Sequence, residues 1–250
     1  MKKITVLLAF LLSVELAKGN DSDFEQPVAN EVNEEISDPL EGYNRAMYEV
    51  NWALDRVFIR PVAEGYGFVP GPVRKSVRNF IANLRSPLTF VNNVLQLEPV
   101  AAGQTLARTL VNTTIGVGGL FDVATELEME YHYEGFADTL AFLGVPSGPY
   151  IILPILGPST PRDMLGMGGD VYGNPVNWVL WNQDMRGYVN ARDAMYMLDL
   201  RTESRGFTDE IEKAIDPYAR VRSLYWQSRV MRQDKADDDK QESPRPSDSE

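Results

Sequence analysis

Side chains that carry out covalent catalysis are scarce in this chain of 250 residues. It has no cysteine and a single histidine, His132, which lies between two tyrosines in an acidic neighbourhood. Ser147 lies in the segment Gly-Val-Pro-Ser-Gly, which does not match the Gly-x-Ser-x-Gly pattern of a nucleophile elbow. Catalysis at His132 would need a nucleophile or base partner that no motif supplies. We therefore interpret it as an ordinary surface histidine and expect no catalytic residue and no enzyme.

Patterns for binding nucleotides or metals are also weak. Gly116, Gly118 and Gly119 follow a helical run instead of a strand, and the phosphate-binding lysine of a nucleotide loop is missing. Asp122 and Glu126 are a possible carboxylate pair, but an acidic chain offers such pairs by chance, and a solvated face is the better interpretation. A zinc site would consist mostly of carboxylates, which is uncommon. We therefore expect no cofactor and no metal.

The longest uncharged stretch runs from Thr139 to Pro161 and is called the apolar ribbon below. Its length alone would allow it to cross a bilayer. Prolines and glycines recur through it, however, and a helix exposed to lipid cannot leave so many backbone groups without hydrogen bonds. The ribbon therefore either belongs to a folded core or contacts a membrane without crossing it, and the residues alone leave both open.

Small uncharged residues also gather between Asn112 and Ala124. Small side chains allow helices to approach closely or to line a narrow passage. Both interpretations stay open from the residues alone, and tight core packing is the favoured one.

The amino terminus has the three parts of a secretory signal peptide, which we place at residues 1–19. Lys2 and Lys3 begin it, an apolar run from Ile4 to Val14 follows, and Ala17-Lys18-Gly19 is a small-x-small cleavage site. The net charge of the chain is −12. This charge argues against nucleic acid as a partner and against simple electrostatic adsorption to an anionic lipid surface.

Acidic, polar segments flank the predicted body on both sides. Residues 20–37 contain many acidic residues and no Lys or Arg, and residues 233–250 are also acidic. Such segments bury too little apolar surface to offset their ordering entropy, so we predict a disordered linker and a disordered tail. Residues 38–232 then form a single helical domain, large enough to build a core without disulfides.

Proline residues mark most of the predicted helix starts in this domain. Asp38-Pro39-Leu40-Glu41 has the order of a capped helix start, and that helix is predicted to end before Pro61. Further starts are predicted at Ser86-Pro87, Thr160-Pro161, Pro175 and Asp216-Pro217. Strand signals are confined to Tyr150–Leu153. The sequence thus predicts an all-α fold of many short helices with at most a small hairpin.

Short motifs follow one another in a fixed order along this domain. They run through Asp38-Pro-Leu-Glu-Gly-Tyr-Asn-Arg-Ala-Met-Tyr48, Asn51, Arg60-Pro61-Val62-Ala63, Val69-Pro70, Asn79-Phe80, Asn83-Leu84, Pro87, Asn92, Arg108, Asn112-Thr113, Ile115-Gly116, Gly118-Gly119, Asp122-Val123-Ala124, Asp138-Thr139-Leu140, Gly148-Pro149-Tyr150, Leu153-Pro154, Gly157-Pro158-Ser159, Arg162-Asp163 and Asp216-Pro217-Tyr218. Each motif is weak alone. As an ordered set they resemble the MlaA/VacJ family of outer-membrane phospholipid-transport proteins.

The resemblance implies a compact, ring-like helical protein in the inner leaflet of the outer membrane. Such proteins associate with a porin trimer and pass phospholipid to a soluble periplasmic lipid-carrier protein, which maintains the lipid asymmetry of the outer membrane. Members usually carry a lipobox cysteine after the signal peptide, and this chain has none. Membrane association would then come from an apolar surface or from the porin, and a looser periplasmic location stays open.

We predict two groups of residues for a lipid passage or its gate. In the polar group, passage lining and structural capping or ion pairing are equal alternatives; the group is Asn44, Arg45, Asn51, Asn112, Asp122, Arg162 and Asp163. In the apolar ribbon, lipid contact or gating is expected of Tyr150, Ile152, Leu153 and Ile155. Gly116, Gly118 and Gly119 are expected to allow close backbone packing.

Two other functions compete with lipid transport. One is a porin-associated envelope scaffold without lipid-transfer activity. The other is a lipid-modifying hydrolase, which the missing nucleophile–base pair opposes.

Overall fold

Helices make up nearly all of the regular structure. The computed structural model describes residues 38–131 and 133–242, with side chains described through residue 230. Its helices are α1 (Glu41–Leu54), α2 (Arg60–Tyr66), α3 (Gly71–Leu95), α4 (Pro99–Thr114), α5 (Val123–Glu126), α6 (Phe136–Phe142), α7 (Pro161–Gly173), α8 (Pro175–Asn182), α9 (Arg186–Glu203), α10 (Arg205–Glu212) and α11 (Pro217–Glu242). The predictions for residues 1–19, 20–37 and His132 lie outside the described residues.

The sheet consists of one antiparallel hairpin within the apolar ribbon. Strand β1 (Ile151–Leu153) pairs with β2 (Gly157–Ser159), and Ile152 lies opposite Pro158. A positive φ of 80° at Gly157 and of 69° at Ile155 shapes the tight connection between the strands. The prediction of an all-α fold with at most a small hairpin is confirmed.

Side chains placed just before a helix cap several of the predicted starts. The Thr160 hydroxyl accepts the Asp163 N–H at 3.3 Å, and Pro161 follows it in the first turn of α7. Asn174 and Asp216 do the same for α8 and α11. Proline suits these positions because the first amides of a helix have no intrahelical partner.

Three predicted helix boundaries are wrong. The chain does not break before Pro61, because α1 continues through a π-helical segment, Asp55–Ile59, into α2. This wider segment directly precedes Pro61, which has no N–H to donate. Helix α3 does not restart at Pro87, which lies inside an unbroken helix packed along α4. Asp38 is not the N-cap of α1; Leu40 is, and the Asp38 carboxylate instead binds distant side chains.

The last helix extends further than the sequence predicts. Helix α11 continues to Glu242, ten residues into the range that the sequence places in a disordered tail. Between Pro217 and Glu242 the chain has neither glycine nor a second proline, and Lys, Gln, Glu and Ala are good helix formers. No helix breaker therefore stops α11 before Glu242, although four aspartates in residues 233–242 lower the local helix propensity.

Two apolar clusters form the interior. One joins α3 to α9 through Ile81, Tyr196, Met197 and Leu200. The other surrounds the hairpin with aromatic rings from α1 and α11, and its members are Tyr48, Tyr150, Ile152, Tyr218 and Tyr225. The hairpin is therefore clamped between the first and last helices of the domain.

Much apolar surface remains exposed outside these clusters. Large side chains that are more than half exposed occur on several helices and their connections: Val57, Phe58, Val62, Phe68, Val73, Leu97, Val100, Leu110, Ile115, Val117, Phe121, Leu127, Tyr131, Leu143, Leu165, Tyr172, Trp178, Val179, Tyr188 and Ile215. Within residues 38–131 and 133–242, no helix is long and apolar enough to span a membrane. We call this set of side chains the exposed apolar set. Exposed apolar side chains of this kind are the ones that a contact with lipid or protein would bury.

Candidate functional site

Asn44 holds the first strand of the hairpin from the middle of α1. Its side-chain Nδ2 donates to the Tyr150 carbonyl at 3.2 Å, and its Oδ1 accepts the Ile152 N–H at 2.7 Å. Nδ2 also donates to the Asp38 carboxylate at 2.8 Å. Asn44 is fully buried, so these bonds satisfy its carboxamide inside the protein and give it a structural role.

Asn51 repeats this arrangement two helical turns later. Its Nδ2 donates to the Leu153 carbonyl at 2.8 Å, and its Oδ1 accepts the Ile155 N–H at 2.6 Å. Asn44 and Asn51 are seven residues apart and therefore lie on one face of α1. Together they pair with the edge of β1 much as a neighbouring strand would.

Burial of the hairpin corrects the expected lipid contact of the apolar ribbon. Tyr150, Ile152 and Leu153 are 2%, 1% and 8% exposed. Their side chains pack against protein and leave almost no surface for lipid contact, while a role in gating stays a prediction. Ile155 is half-buried at the turn. The burial of the hairpin could not be predicted from the sequence, because a core strand and a lipid-contacting segment have the same apolar composition.

Arg45 forms an ion-pair network that joins α1 to the start of α11. Its guanidinium donates to both carboxylate oxygens of Asp216, at 3.1 and 2.8 Å, and to Glu41 at 2.7 Å. It also lies 4.4 Å from the ring centre of Tyr218. The hydrogen bond from Arg45 lowers the pKa of Asp216 to about 2. This ion-pairing contact lies away from the cavity described next.

Arg162 and Asp163, at the start of α7, are also held by protein partners. Arg162 Nη1 donates to the Val145 carbonyl at 2.9 Å. The Asp163 carboxylate accepts from the Arg229 guanidinium at 2.5 Å and from the Tyr225 hydroxyl. For this pair, as for Asn44 and Asn51, the structure shows hydrogen bonds within the protein, and passage lining stays a prediction.

A cavity of about 200 Å³ lies between α3, α4 and α9, and most of the residues that line it are of polar types. Its described lining is Arg78, Asn79, Ala82, Asn83, Arg85, Ser86, Thr89, Thr105, Arg108, Asn112, Asp122, Tyr131, Tyr133 and Tyr196. Two predicted site residues, Asn112 and Asp122, therefore line the same cavity. The described lining includes three arginines and one carboxylate, so basic side chains outnumber acidic ones there although the net charge of the chain is −12.

One wall of the cavity is a hydrogen-bonded cluster around Asp122. Arg108 Nη2 donates to its two oxygens at 3.0 and 3.2 Å, and Asn112 Nδ2 donates to Oδ1 at 2.9 Å. Asn112 Oδ1 also accepts the Ala124 N–H at 2.9 Å. Burial alone would raise the pKa of Asp122, but hydrogen bonds from Thr125 and Asn112 and the charge of Arg108 outweigh it and lower the pKa. Asp122 therefore stays ionised and fixes Arg108.

Residues 115–122, between α4 and α5, contain three glycines and are called the glycine loop; this loop packs against the same wall. A Cβ on Gly116 would lie 2.2 Å from the Phe121 carbonyl oxygen, and one on Gly119 would lie 2.5 Å from Asn83 Cβ. Both positions allow close backbone packing. Gly118 differs from the expectation, because nothing lies within 4 Å of its Cβ position; a φ of 72° is what requires glycine there.

The opposite wall carries two arginines that the sequence analysis missed. Arg78 Nε lies 2.8 Å from the Asp199 carboxylate, and the side chain of Asp199 is 1% exposed. Arg85 lies 4.4 Å from the ring centre of Tyr196 and 5.7 Å from that of Tyr133. These rings hold the planar guanidinium of Arg85 in the cavity wall.

A pattern in α3 could have revealed this wall. Arg78, Ala82, Arg85 and Thr89 occur at helical spacing and therefore lie on one face of the helix. A polar, basic stripe on a helix that also carries a buried apolar face indicates that the stripe lines an interior cavity.

The described residues contain no group of His, Cys, Asp or Glu that could hold a metal ion.

The helical domain combines an arginine-lined cavity with many exposed apolar side chains. These features are typical of the class of proteins that bind amphipathic ligands or contact membranes. The family model described as "MlaA lipoprotein" matches residues 36–232. The chain belongs to this family.

Two similar proteins carry the family's name, and a third similar protein carries no functional name. The chain is 31% identical over 234 residues to the "Intermembrane phospholipid transport system lipoprotein MlaA" of Haemophilus influenzae, covering 91% of this chain and 90% of the relative. The protein of the same name in Escherichia coli is 34% identical over 197 residues, which is 76% of each chain. An uncharacterized protein of Rickettsia bellii is 32% identical, covering 90% of this chain and 88% of the relative.

A solved structure shares the fold. It is described as "Structural basis for maintenance of bacterial outer membrane lipid asymmetry", and it matches with a TM-score of 0.64 and 33% identity. The match covers 76% of this chain and 96% of that chain.

Proposed function

We propose that this protein is a phospholipid-transport component of the bacterial envelope. It moves misplaced phospholipid out of the outer membrane toward a soluble periplasmic lipid-carrier protein and so maintains lipid asymmetry. The observation that carries the proposal is the arginine-lined cavity in a protein with a large exposed apolar set. A phospholipid has an anionic headgroup and apolar tails, and this arrangement offers a partner for each.

The cavity supports the headgroup part of the proposal. Arg78, Arg85 and Arg108 line it, with Arg78 and Arg108 paired to Asp199 and Asp122. Guanidinium groups bind phosphate oxygens through planar pairs of hydrogen bonds. The cavity volume of about 200 Å³ suits a headgroup and is too small for two acyl chains. The tails would therefore remain outside, against apolar side chains or lipid.

The exposed apolar set supports location at a membrane. Side chains such as Phe58, Phe68 and Trp178 are 64%, 90% and 59% exposed, and each gains free energy when it leaves water at about 25 cal/mol per Å². We propose the periplasmic face of the outer membrane, within its inner leaflet, as the location. A porin trimer is the proposed neighbour, and no covalent chemistry is required of this component.

A transfer assay with cavity variants tests the function. Ala82 lines the cavity, so Ala82→Phe should fill it, whereas Ala53→Phe adds the same ring to an exposed position on α1. Fluorescent phospholipid in donor vesicles would be mixed with the full chain and acceptor vesicles. We expect transfer by the wild type and Ala53→Phe, and loss of transfer by Ala82→Phe at an unchanged unfolding temperature.

Other outcomes would favour the competing functions. A folded wild-type protein that never binds or transfers phospholipid would reject transport and leave the porin-associated scaffold. Conversion of phospholipid to lysolipid would indicate the hydrolase. Substitution of Ile152, which is 1% exposed, is unsuitable for this assay because it would damage the core.

A further inference from the structure

Helix α4 and most of the glycine loop expose apolar side chains and no charge. Residues 99–121 contain one charged residue, Arg108, and its side chain is buried. Seven large apolar side chains of this stretch are exposed, namely Val100, Leu106, Leu110, Ile115, Val117, Leu120 and Phe121. In a chain in which 24% of the residues are charged, an uncharged surface of this length matches an apolar neighbour better than water.

Polar groups of the same stretch form hydrogen bonds within the protein. All four polar side chains of residues 109–114 do so; Thr114, for example, donates its hydroxyl to the Leu110 carbonyl at 2.7 Å. Five backbone amides of the glycine loop donate to carbonyl oxygens of residues 111–116 at 2.7 to 3.2 Å, namely those of Ile115, Gly116, Gly118, Gly119 and Phe121. Hydrocarbon offers no partner to a polar group, so a segment bonded in this way can leave water at a low cost.

Val117 holds its side chain outward at the cost of backbone strain. It is 62% exposed and has a φ of 54°, in the left-handed region. A β-branched residue rarely adopts this conformation, whereas asparagine adopts it more readily. A strained backbone that exposes an apolar side chain to water gains nothing within the protein, which indicates a contact outside it.

We propose that the glycine loop and the exposed face of α4 insert into the acyl-chain region of a lipid bilayer. This inference rests on the membrane location in the proposed function and names the surface that makes the contact. Energetically important residues of protein interfaces are often Trp, Tyr or Arg, and residues 109–121 contain none of these. The uncharged, internally bonded surface therefore fits lipid better than a protein partner.

Insertion of the loop places the cavity beside the bilayer. Asn79 Nδ2 donates to the Leu120 carbonyl at 3.4 Å, and Asn83 Nδ2 donates to Thr113 Oγ1 at 2.9 Å. Both asparagines belong to α3 and line the cavity. A wall of the cavity is thus bonded directly to the inserted segment, which gives a phospholipid a short path from the bilayer to the cavity.

Val117→Asn is the decisive variant because stability and membrane binding should change in opposite directions. Asparagine relieves the strain of the left-handed backbone, so the unfolding temperature should stay unchanged or rise. The loss of an apolar side chain should weaken binding of the full chain to dioleoyl phosphatidylcholine vesicles about tenfold. Val230→Asn makes the same change at an exposed position of α11 and should bind these vesicles as the wild type does.

A fluorescent label measures the depth of the loop in the same vesicles. The chain has no cysteine, so Val117→Cys provides a single labelling site in the full chain. Lipids that carry a quencher on the acyl chain should reduce the fluorescence of a label at residue 117 more than lipids that carry it on the headgroup. Arg205→Cys places the label on an exposed position of α10, where we expect neither quencher to act strongly.

The outcomes separate insertion of the loop from the proposed function. Acyl-chain quenching at residue 117, with weaker vesicle binding by a folded Val117→Asn, supports insertion. A label that stays in water, with unchanged vesicle binding by Val117→Asn, overturns insertion even if the wild type transfers phospholipid. Burial of the label without vesicles that grows with protein concentration assigns the surface to a second copy of the chain and also overturns it. A wild type that binds no vesicles overturns the membrane location in the proposed function.

Discussion

Arg201 and Asp55 form a two-point ion pair inside the protein. Arg201 Nε donates to Asp55 Oδ1 at 2.7 Å, and Nη2 donates to Oδ2 at 2.9 Å. Their side chains are 2% and 4% exposed. Asp55 begins the π-helical segment between α1 and α2, and Arg201 lies near the end of α9, so the pair fixes this wide turn to α9.

Removing Asp55 should destabilise the protein strongly. Asp55→Ala leaves the guanidinium of Arg201 buried without its carboxylate, which typically costs about 3–5 kcal/mol in the free energy of unfolding. Glu64→Ala removes the partner of Arg205 at 3.0 Å in a pair that is 61% and 45% exposed, and should cost less than about 1 kcal/mol. Urea unfolding of both variants measures the difference. Equal costs would show that the buried pair contributes no more than the surface pair.

Loss of the Asn44 carboxamide should affect stability and leave lipid binding of the folded protein unchanged. Asn44→Ala leaves the Tyr150 carbonyl, the Ile152 N–H and the Asp38 carboxylate each with one partner fewer, at a cost of about 3 kcal/mol. Gln227→Ala is the control, because its carboxamide bonds within one helix to Ser223. Thermal unfolding and lipid binding would both be measured. Reduced lipid binding at full stability would instead place Asn44 at a lipid passage.

The sequence predicts the helical class and the proline-started helices, because these depend on local chemistry. Thr160, Asn174 and Asp216 cap helices through bonds that span two or three residues. The course of the chain at Pro61 and Pro87 could not be predicted in this way. Tertiary contacts and a π-helical segment keep the chain helical there and override the local signal.

The site was only partly predictable for the same reason. Asn112 and Asp122 line the cavity, and their short separation in sequence brings them together. Asn44 and Asn51 instead bind a hairpin about a hundred residues later, and no local pattern distinguishes that use from passage lining. The helical spacing of Arg78 and Arg85 could have indicated a basic wall, whereas the contact of Arg85 with Tyr196 depends on the fold.

Stability should depend on pH through Asp170. Burial raises the pKa of this carboxyl from 3.8 to about 6, although the Phe136 N–H donates to it at 2.7 Å. The folded state therefore binds the proton more tightly than the unfolded chain, and protonation of Asp170 stabilises the fold. This contribution to the free energy of unfolding is fully present below about pH 4 and is lost as the pH rises through about 6.

Asp170→Asn keeps an acceptor for the Phe136 N–H and removes the titration. We expect its stability relative to the wild type to rise by about 2 kcal/mol between pH 4 and pH 7.5. Glu126→Gln, on an exposed position of α5, should show no such change. Unfolding temperatures across this range measure the effect. A wild type and Asp170→Asn with parallel pH profiles would exclude Asp170 as the titrating group.

The glycine loop after α4 should tolerate substitution in a defined order. Gly118→Ala meets open space and only the strain of a φ of 72°, about 1 kcal/mol, whereas Gly119→Ala combines a φ of 90° with overlap against Asn83 and should cost about 2 kcal/mol or more. Gly187→Ala, in the first turn of α9 with nothing within 4 Å, should stabilise by up to about 1 kcal/mol.

Asn83 lies between the glycine loop and the cavity, because it contacts Gly119 and also lines the cavity. The Gly118→Ala and Gly119→Ala variants therefore also test function. Its Nδ2 donates to Thr113 Oγ1 at 2.9 Å, and its side chain lies where a Cβ on Gly119 would be. Gly119→Ala must displace Asn83 and should therefore weaken phosphatidylglycerol binding, while Gly118→Ala should leave it unchanged because its Cβ meets no neighbour. Unfolding temperature and lipid binding of the two variants decide this, and equal lipid affinities would separate the loop from the cavity.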